Sequence, residues 1–163
     1  MSTLFAQPYD LHAAGFYFDS EEEYMDKSEK CRNEFGQPVE EFEIQFIDGD
    51  NPKIFKAAGI SQATIGDWFD DLDHLSDDEA IAIIYLLDNV GMDLSDALSK
   101  ADEVQVWWGS IRDYAEELVD YCFDLPEIAQ RYFDYDSFAR DLQIGGDVAE
   151  IEPGVWRINA SEF

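Results

Sequence analysis

Residues 57–99 read AAGISQATIGDWFDDLDHLSDDEAIAIIYLLDNVGMDLSDALS and contain no lysine or arginine. Asp67, Asp70, Asp71, Asp73, Asp77, Asp78, Glu79, Asp88, Asp93 and Asp96 are interleaved with Ile65, Trp68, Phe69, Leu72, Leu75, Ile81, Ile83, Ile84, Leu86 and Leu87. The apolar residues form a core, so this is no solvated tail, and the segment must fold with a negative outer face. Like charges at helical neighbour spacing repel by roughly 0.2–0.5 kcal/mol per pair. Selection for stability alone would have placed lysines here. The uniform sign answers a demand from outside the fold.

The spacing predicts short helices through this stretch. One covers residues 61–72, with Asp67, Asp70 and Asp71 on its outer side. Ser76 and Glu79 form a capping box that opens a second helix to about Asn89. Asp77, Asp78 and Glu79 fall in its first turn, where the helix dipole favours anions. Gly91 stops it, and residues 93–99 form one further short helix.

On the N-terminal side the pattern is strand, strand, helix, strand. Residues 4–7 and 15–18 are β-prone, and Ser20 with Glu23 caps a helix through about Arg32. Tyr24, Ser28, Cys31 and Phe35 define its inner face, and residues 41–46 then alternate strictly as a half-buried strand. The turn cluster at residues 48–52 marks a boundary. On the C-terminal side, residues 103–108 read as a strand and Ser110 caps a helix over 111–123. Short helices follow at 126–133 and 136–142, then a hairpin of strands 148–151 and 155–158. The expected fold class is α+β, an elongated chain of three small subdomains at 1–51, 52–101 and 102–163.

Thirty-eight acids against ten bases leave a net charge of −28, while the chain is 46% hydrophobic and 15% aromatic. High charge with many aromatics is not the composition of disorder. Such a surface repels nucleic acid and anionic membrane and attracts basic partners. Duplex DNA carries one charge per ~1.7 Å, so this charge equals that of roughly 48 Å of duplex, about 14 base pairs. A compact globule of this length is only about 40 Å across, and matching duplex density along one path calls for an extended particle. Cys31 and Cys122 lack metal or disulfide spacing and read as buried thiols in a reducing compartment. The first residues lack a basic region followed by an apolar run, and the longest apolar run, residues 80–87, is too short for a bilayer. A soluble cytoplasmic protein is expected.

The helix after Ser110 carries the clearest pattern. Ile111, Tyr114, Ala115, Leu118, Val119 and Cys122 form an apolar stripe, and Asp113, Glu116, Glu117, Asp120 and Asp124 fall within about 100° on the other side. Those acids span about 16 Å of helix axis, a length over which one DNA strand places about five phosphates. Arg112, four residues before Glu116, offsets only part of the repulsion.

Catalytic chemistry finds no support. His12 and His74 are in no metal-binding spacing, and neither Asp48-Gly49-Asp50 nor Asp70-Asp71-Leu72-Asp73 meets the EF-hand requirement. No glycine-rich phosphate loop is present, and paired-carboxylate hydrolysis cannot be argued from any particular pair among so many acids. The ten bases are scattered, with no basic stripe for nucleic acid. An adaptation to high salt accounts for the charge but not for its concentration into faces.

Residues 113–119 (DYAEELV), 125–128 (LPEI), 132–136 (YFDYD) and 139–142 (ARDL) together resemble the ArdA antirestriction proteins. So do residues 15–18 (GFYF) and 40–44 (EEFEI) leading to Asp48-Gly49, whereas residues 52–106 match mainly in acidity and helical character. Phe133 stands where the family usually has an aliphatic residue. The resemblance implies a curved, elongated inhibitor of three subdomains that dimerises through its C-terminal part. It implies mimicry of bent B-form DNA, with the inhibitor seated in the DNA-binding groove of the methyltransferase core of type I restriction–modification enzymes in the bacterial cytoplasm. The carboxylates that would replace phosphates are Asp67, Asp70, Asp71, Asp73, Asp77, Asp78, Asp88, Asp113, Glu116, Glu117, Asp120 and Asp124. The aromatic-rich C-terminal part, with Trp107, Trp108, Tyr132, Phe133 and Tyr135, supplies the expected homodimer surface. No enzymatic activity, cofactor, metal, nucleic-acid ligand or membrane is expected. The alternative is an acidic interaction module for another basic DNA-binding protein.

Overall fold

The structure, a computed structural model, describes residues 2–160. It is an α+β fold with two three-stranded antiparallel sheets, and the chain divides into two compact units, Met1–Leu94 and Ser95–Phe163.

In the first unit β1 (Thr3–Pro8) lies between β2 (Phe16–Phe18) and β3 (Phe42–Asp48). Leu4 faces Phe18 on one side and Phe46 on the other. The alternation expected over residues 41–46 is realised, with Phe42 and Ile44 buried and Glu43 outside. Gly15 is required where β2 begins, because a Cβ there would stand 2.5 Å from the Ala6 carbonyl oxygen.

Helix α1 (Glu21–Lys30) is capped by Ser20, whose Oγ accepts from the Glu23 amide at 3.2 Å. The Glu23 carboxylate reaches back one residue further than a capping box predicts and accepts from the Asp19 amide at 2.8 Å. Tyr24 is the one buried residue of α1, with its ring against Phe16, Phe18 and Phe42. The helix stops two residues before the expected Arg32 because Cys31 is extended. Phe35 consequently leaves the inner face and sits exposed, edge-on to His12.

The turn at residues 48–52 does not separate two cores. Helix α2 (Pro52–Ala57) places Phe55 against Phe46 of β3, and both rings meet Trp68 at 5.1–5.9 Å. The predicted helix over 61–72 is shorter. Ser61 and Thr64 bond each other's backbone, Ser61 N to Thr64 Oγ1 and Thr64 N to Ser61 O, both at 3.0 Å. Such local bonds compete with the helical ladder. Helix α3 (Ile65–Asp67) begins only afterwards and widens into a π-helical turn, Trp68–Leu72, closed by the Asp73 amide on the Trp68 carbonyl at 2.8 Å. Helix α4 (Asp77–Tyr85) has the predicted capping box, with Ser76 N donating to the Glu79 carboxylate at 2.9 Å. A second π-helical turn, Leu86–Val90, carries it to Gly91, whose φ of +80° ends it. Helix α5 (Leu94–Lys100) follows.

In the second unit β6 (Val155–Arg157) lies between β4 (Val106–Trp108) and β5 (Ala149–Glu152), and the predicted β5–β6 hairpin turns at Gly154. Beside α5, whose residues from Ser95 on belong to this unit, three further helices complete it: α6 (Ile111–Cys122), α7 (Glu127–Tyr132) and α8 (Tyr135–Gly145). Helix α6 packs on α8, and Arg112 Nε bridges them to Asp136 at 3.2 Å. The apolar stripe of α6 is only partly covered. Ala115 and Val119 are buried, Ile111, Tyr114 and Leu118 are half-buried, and Cys122, expected inside, is exposed.

Candidate functional site

Helix α6 starts where the Ser110 hydroxyl accepts from the Asp113 amide at 3.1 Å, and it stops at Cys122 because Phe123 is extended. Asp113, Glu116, Glu117 and Asp120 therefore share the outer side of one helix, with Glu116 half-buried and the other three exposed. Asp124 is exposed but lies past the helix end, off the line that periodicity gave it. Arg112 is the only cation within α6; it meets Glu116 at 3.1 Å and divides itself between Glu116 and Asp136.

In the first unit, the π-helical turn buries Trp68 and Leu72 and leaves Asp70 and Asp71 exposed beside Asp67 of α3. Asp77 and Asp78 are exposed in the first turn of α4, and Asp88 is exposed in the π-helical turn that follows it. Ser76 hydrogen bonds hold the Glu79 carboxyl below the usual carboxylate range.

Asp73 departs from the predicted surface set. It is 4% exposed, and its carboxylate accepts from the backbone amide of Ser2 at 3.1 Å and from the Ser2 hydroxyl. A carboxylate occupied inside the fold cannot replace a surface phosphate. Its role is to anchor the start of β1.

The aromatic residues expected at a dimer surface divide. Trp108 and Tyr132 are exposed. Phe133 and Tyr135 are half-buried with rings 4.8 Å apart, and Trp107 is half-buried with its indole N–H on the Ser110 carbonyl at 3.2 Å. The sequence reading missed Tyr121, Ile128 and Ile144, all largely exposed. Tyr121 borders the acidic arc of α6 and belongs to neither the apolar stripe nor the acidic set read from the sequence.

Among the described residues, no group of three or more His, Cys, Asp or Glu is placed to hold a metal ion, and no helix is long and apolar enough to cross a membrane. The acids spread over surfaces instead of converging. A family model described as antirestriction protein (ArdA) matches residues 20–157. The chain belongs to the ArdA antirestriction family. ArdA proteins are inhibitors and not enzymes, and the function implied is antirestriction against type I restriction enzymes. The ArdA match runs from the cap of α1 to the end of β6 and so includes both the base-free stretch and α6. A comparison with individually curated proteins gives no match.

Proposed function

We propose that this ArdA protein inhibits by presenting carboxylates where DNA presents phosphates, occupying the DNA-binding groove of the methyltransferase core of a type I restriction–modification enzyme. It acts by stoichiometric occupation, without catalysis, in the bacterial cytoplasm. The observation that carries this reading is the outer side of α6. Asp113 to Asp120 cover about 10 Å of helix axis, a length that carries about three phosphates on one DNA strand. Four carboxylates therefore reach the charge density of one DNA strand there. Asp67, Asp70, Asp71, Asp77, Asp78 and Asp88 extend the negative surface in the first unit, each exposed while Trp68, Leu72 and Ile81 beside them in sequence are buried.

The active species is a homodimer formed through the second unit, with exposed Trp108, Ile128, Tyr132 and Ile144 available for the contact. Two chains of −28 together carry the charge of about 28 base pairs. Sedimentation at micromolar concentration should show the dimer, and a monomer alone would remove this part of the proposal. The test of the function is displacement. A type I methyltransferase core held by the immobilised protein should be released by a free duplex of about 30 base pairs. Binding should weaken as salt rises, since the groove holds anions that must be displaced. Retention undiminished by saturating duplex would refute occupation of the groove.

A further inference from the structure

Tyr114, Glu117, Leu118 and Tyr121 recur along α6 at intervals of three, one and three, so they form one narrow strip of the helix. With Trp107 of β4 and Ile158 they line a pocket of about 270 Å³. The rings of Trp107 and Tyr114 are 5.5 Å apart and tilted by 55°, and the indole N–H is already engaged by Ser110. Tyr121 forms the outer rim, 91% exposed. The wall thus consists of three aromatic rings, two aliphatic side chains and one carboxylate, at the seam between the apolar and acidic sides of α6.

This chemistry discriminates among occupants. An anion meets Glu117. A purely apolar group would strip water from that carboxylate and return no hydrogen bond, which is costly. A cation satisfies both features, since aromatic faces attract positive charge and the carboxylate completes the pair. A planar guanidinium fits better than an ammonium, because it stacks on a ring while its edge donates to a carboxylate. Of the four arginines of this unit, Arg112 is engaged by Glu116 and Asp136 and Arg131 by Glu127, Arg157 is buried, and exposed Arg140 of α8 lies near Asp134.

We propose that this pocket receives an arginine side chain of the protein that the acidic surface engages, giving the inhibitor an anchor that DNA itself lacks. The identity of that protein rests on the mimicry reading above; the pocket's preference for a guanidinium does not. Two measurements test it. In the first, N-acetyl-arginine methylamide is titrated against the full-length protein at matched ionic strength while the Trp107 indole resonance is followed. A saturable shift is expected, weakened severalfold in Glu117→Gln, with a much smaller response to N-acetyl-leucine methylamide. An equal response to the leucine derivative, or none to the arginine derivative, overturns the proposal. In the second, variants are titrated as inhibitors of DNA cleavage by a type I enzyme. Tyr121→Leu, which keeps bulk and charge but removes the ring, should lose about tenfold in potency, the scale of a desolvated cation–π contact. Tyr121→Phe and the remote Tyr9→Leu should stay near the unaltered protein. Full potency of Tyr121→Leu would overturn the anchor. If the unaltered protein failed to inhibit, mimicry would fall, and the first titration would still decide the pocket.

Discussion

Helices α1 and α6 are built alike, and with five acids against two lysines in α1 and four acids against one arginine in α6 they carry the same excess of negative charge, arranged differently. Each begins at a serine whose hydroxyl accepts from the amide three residues on, Ser20 for α1 and Ser110 for α6. In α1 two of the five acids are paired within the helix, Glu23 with Lys27 at 2.6 Å and Asp26 with Lys30. In α6 a single arginine faces Asp113, Glu116, Glu117 and Asp120, and Asp136 of α8 shares it. Pairs spaced by four residues stabilise a helix by about 0.3–0.5 kcal/mol each, a gain that α1 takes twice. Helix α6 has one such pair, Arg112–Glu116, and accepts repulsion among Asp113, Glu117 and Asp120.

The largest effect should come from an acid that belongs to neither pattern. Asp73→Ala leaves the buried amide and hydroxyl of Ser2 unsatisfied, at a cost of about 1–3 kcal/mol. Asp120→Asn should fall within about 0.5 kcal/mol of the unaltered protein. Chemical denaturation distinguishes them, and equal effects would mean that Asp73 is one more surface charge. Next, Ser20→Ala and Ser110→Ala should each cost about 1 kcal/mol. A negligible cost at Ser110 would show that tertiary packing, not its cap, fixes the start of α6.

Removing charge should then move the two helices in opposite directions. Lys27→Gln with Lys30→Gln should destabilise by about 0.5–1 kcal/mol at low salt. Neutralising Asp113, Glu116, Glu117 and Asp120 should stabilise by about 0.5–1.5 kcal/mol. Both effects should shrink as salt is added, and a shared sign would break the contrast between the helices. The smallest effect concerns pH. The Glu79 carboxyl is held low by Ser76, so its contribution is complete above its unfolded value and is lost as pH falls through the folded one. Glu79→Gln should therefore be less stable than the parent near neutrality and converge with it in acid. A difference that persists unchanged in acid would show that the side chain acts by shape and not by charge.

Much of this was legible in the sequence, for local reasons. Alternation located β3, Ser-x-x-Glu spacings located the starts of α1 and α4, and Ser110 as a capping residue located that of α6, because caps are formed by residues close in sequence. What remained hidden depends on distant partners or on backbone detail. The burial of Asp73 follows from Ser2, seventy-one positions away. The π-helical turns at Trp68–Leu72 and Leu86–Val90 leave the apolar pattern compatible with an ordinary helix. The extended backbone at Cys31 and Phe123 ends α1 and α6 without a glycine or proline at either position, which put Phe35 on the surface and Asp124 off the acidic line. The pocket at Glu117 and Tyr121 needed Trp107 and Ile158 brought to α6 by the second sheet.

Placement against quantity of charge is the decisive comparison. One variant neutralises Asp113, Glu116, Glu117 and Asp120 as Asn or Gln; the other neutralises Glu21, Asp26, Glu29 and Glu34 in and after α1. Both lose four negative charges, so long-range steering is matched. Each is titrated against DNA cleavage by a type I restriction enzyme. If carboxylates on α6 replace phosphates, the first variant loses about tenfold or more in potency, the sum of several exposed charge contacts, and the second stays near the unaltered protein. Equal loss in the two would mean that bulk charge suffices, and the acidic side of α6 would be an ordinary solvated helix face.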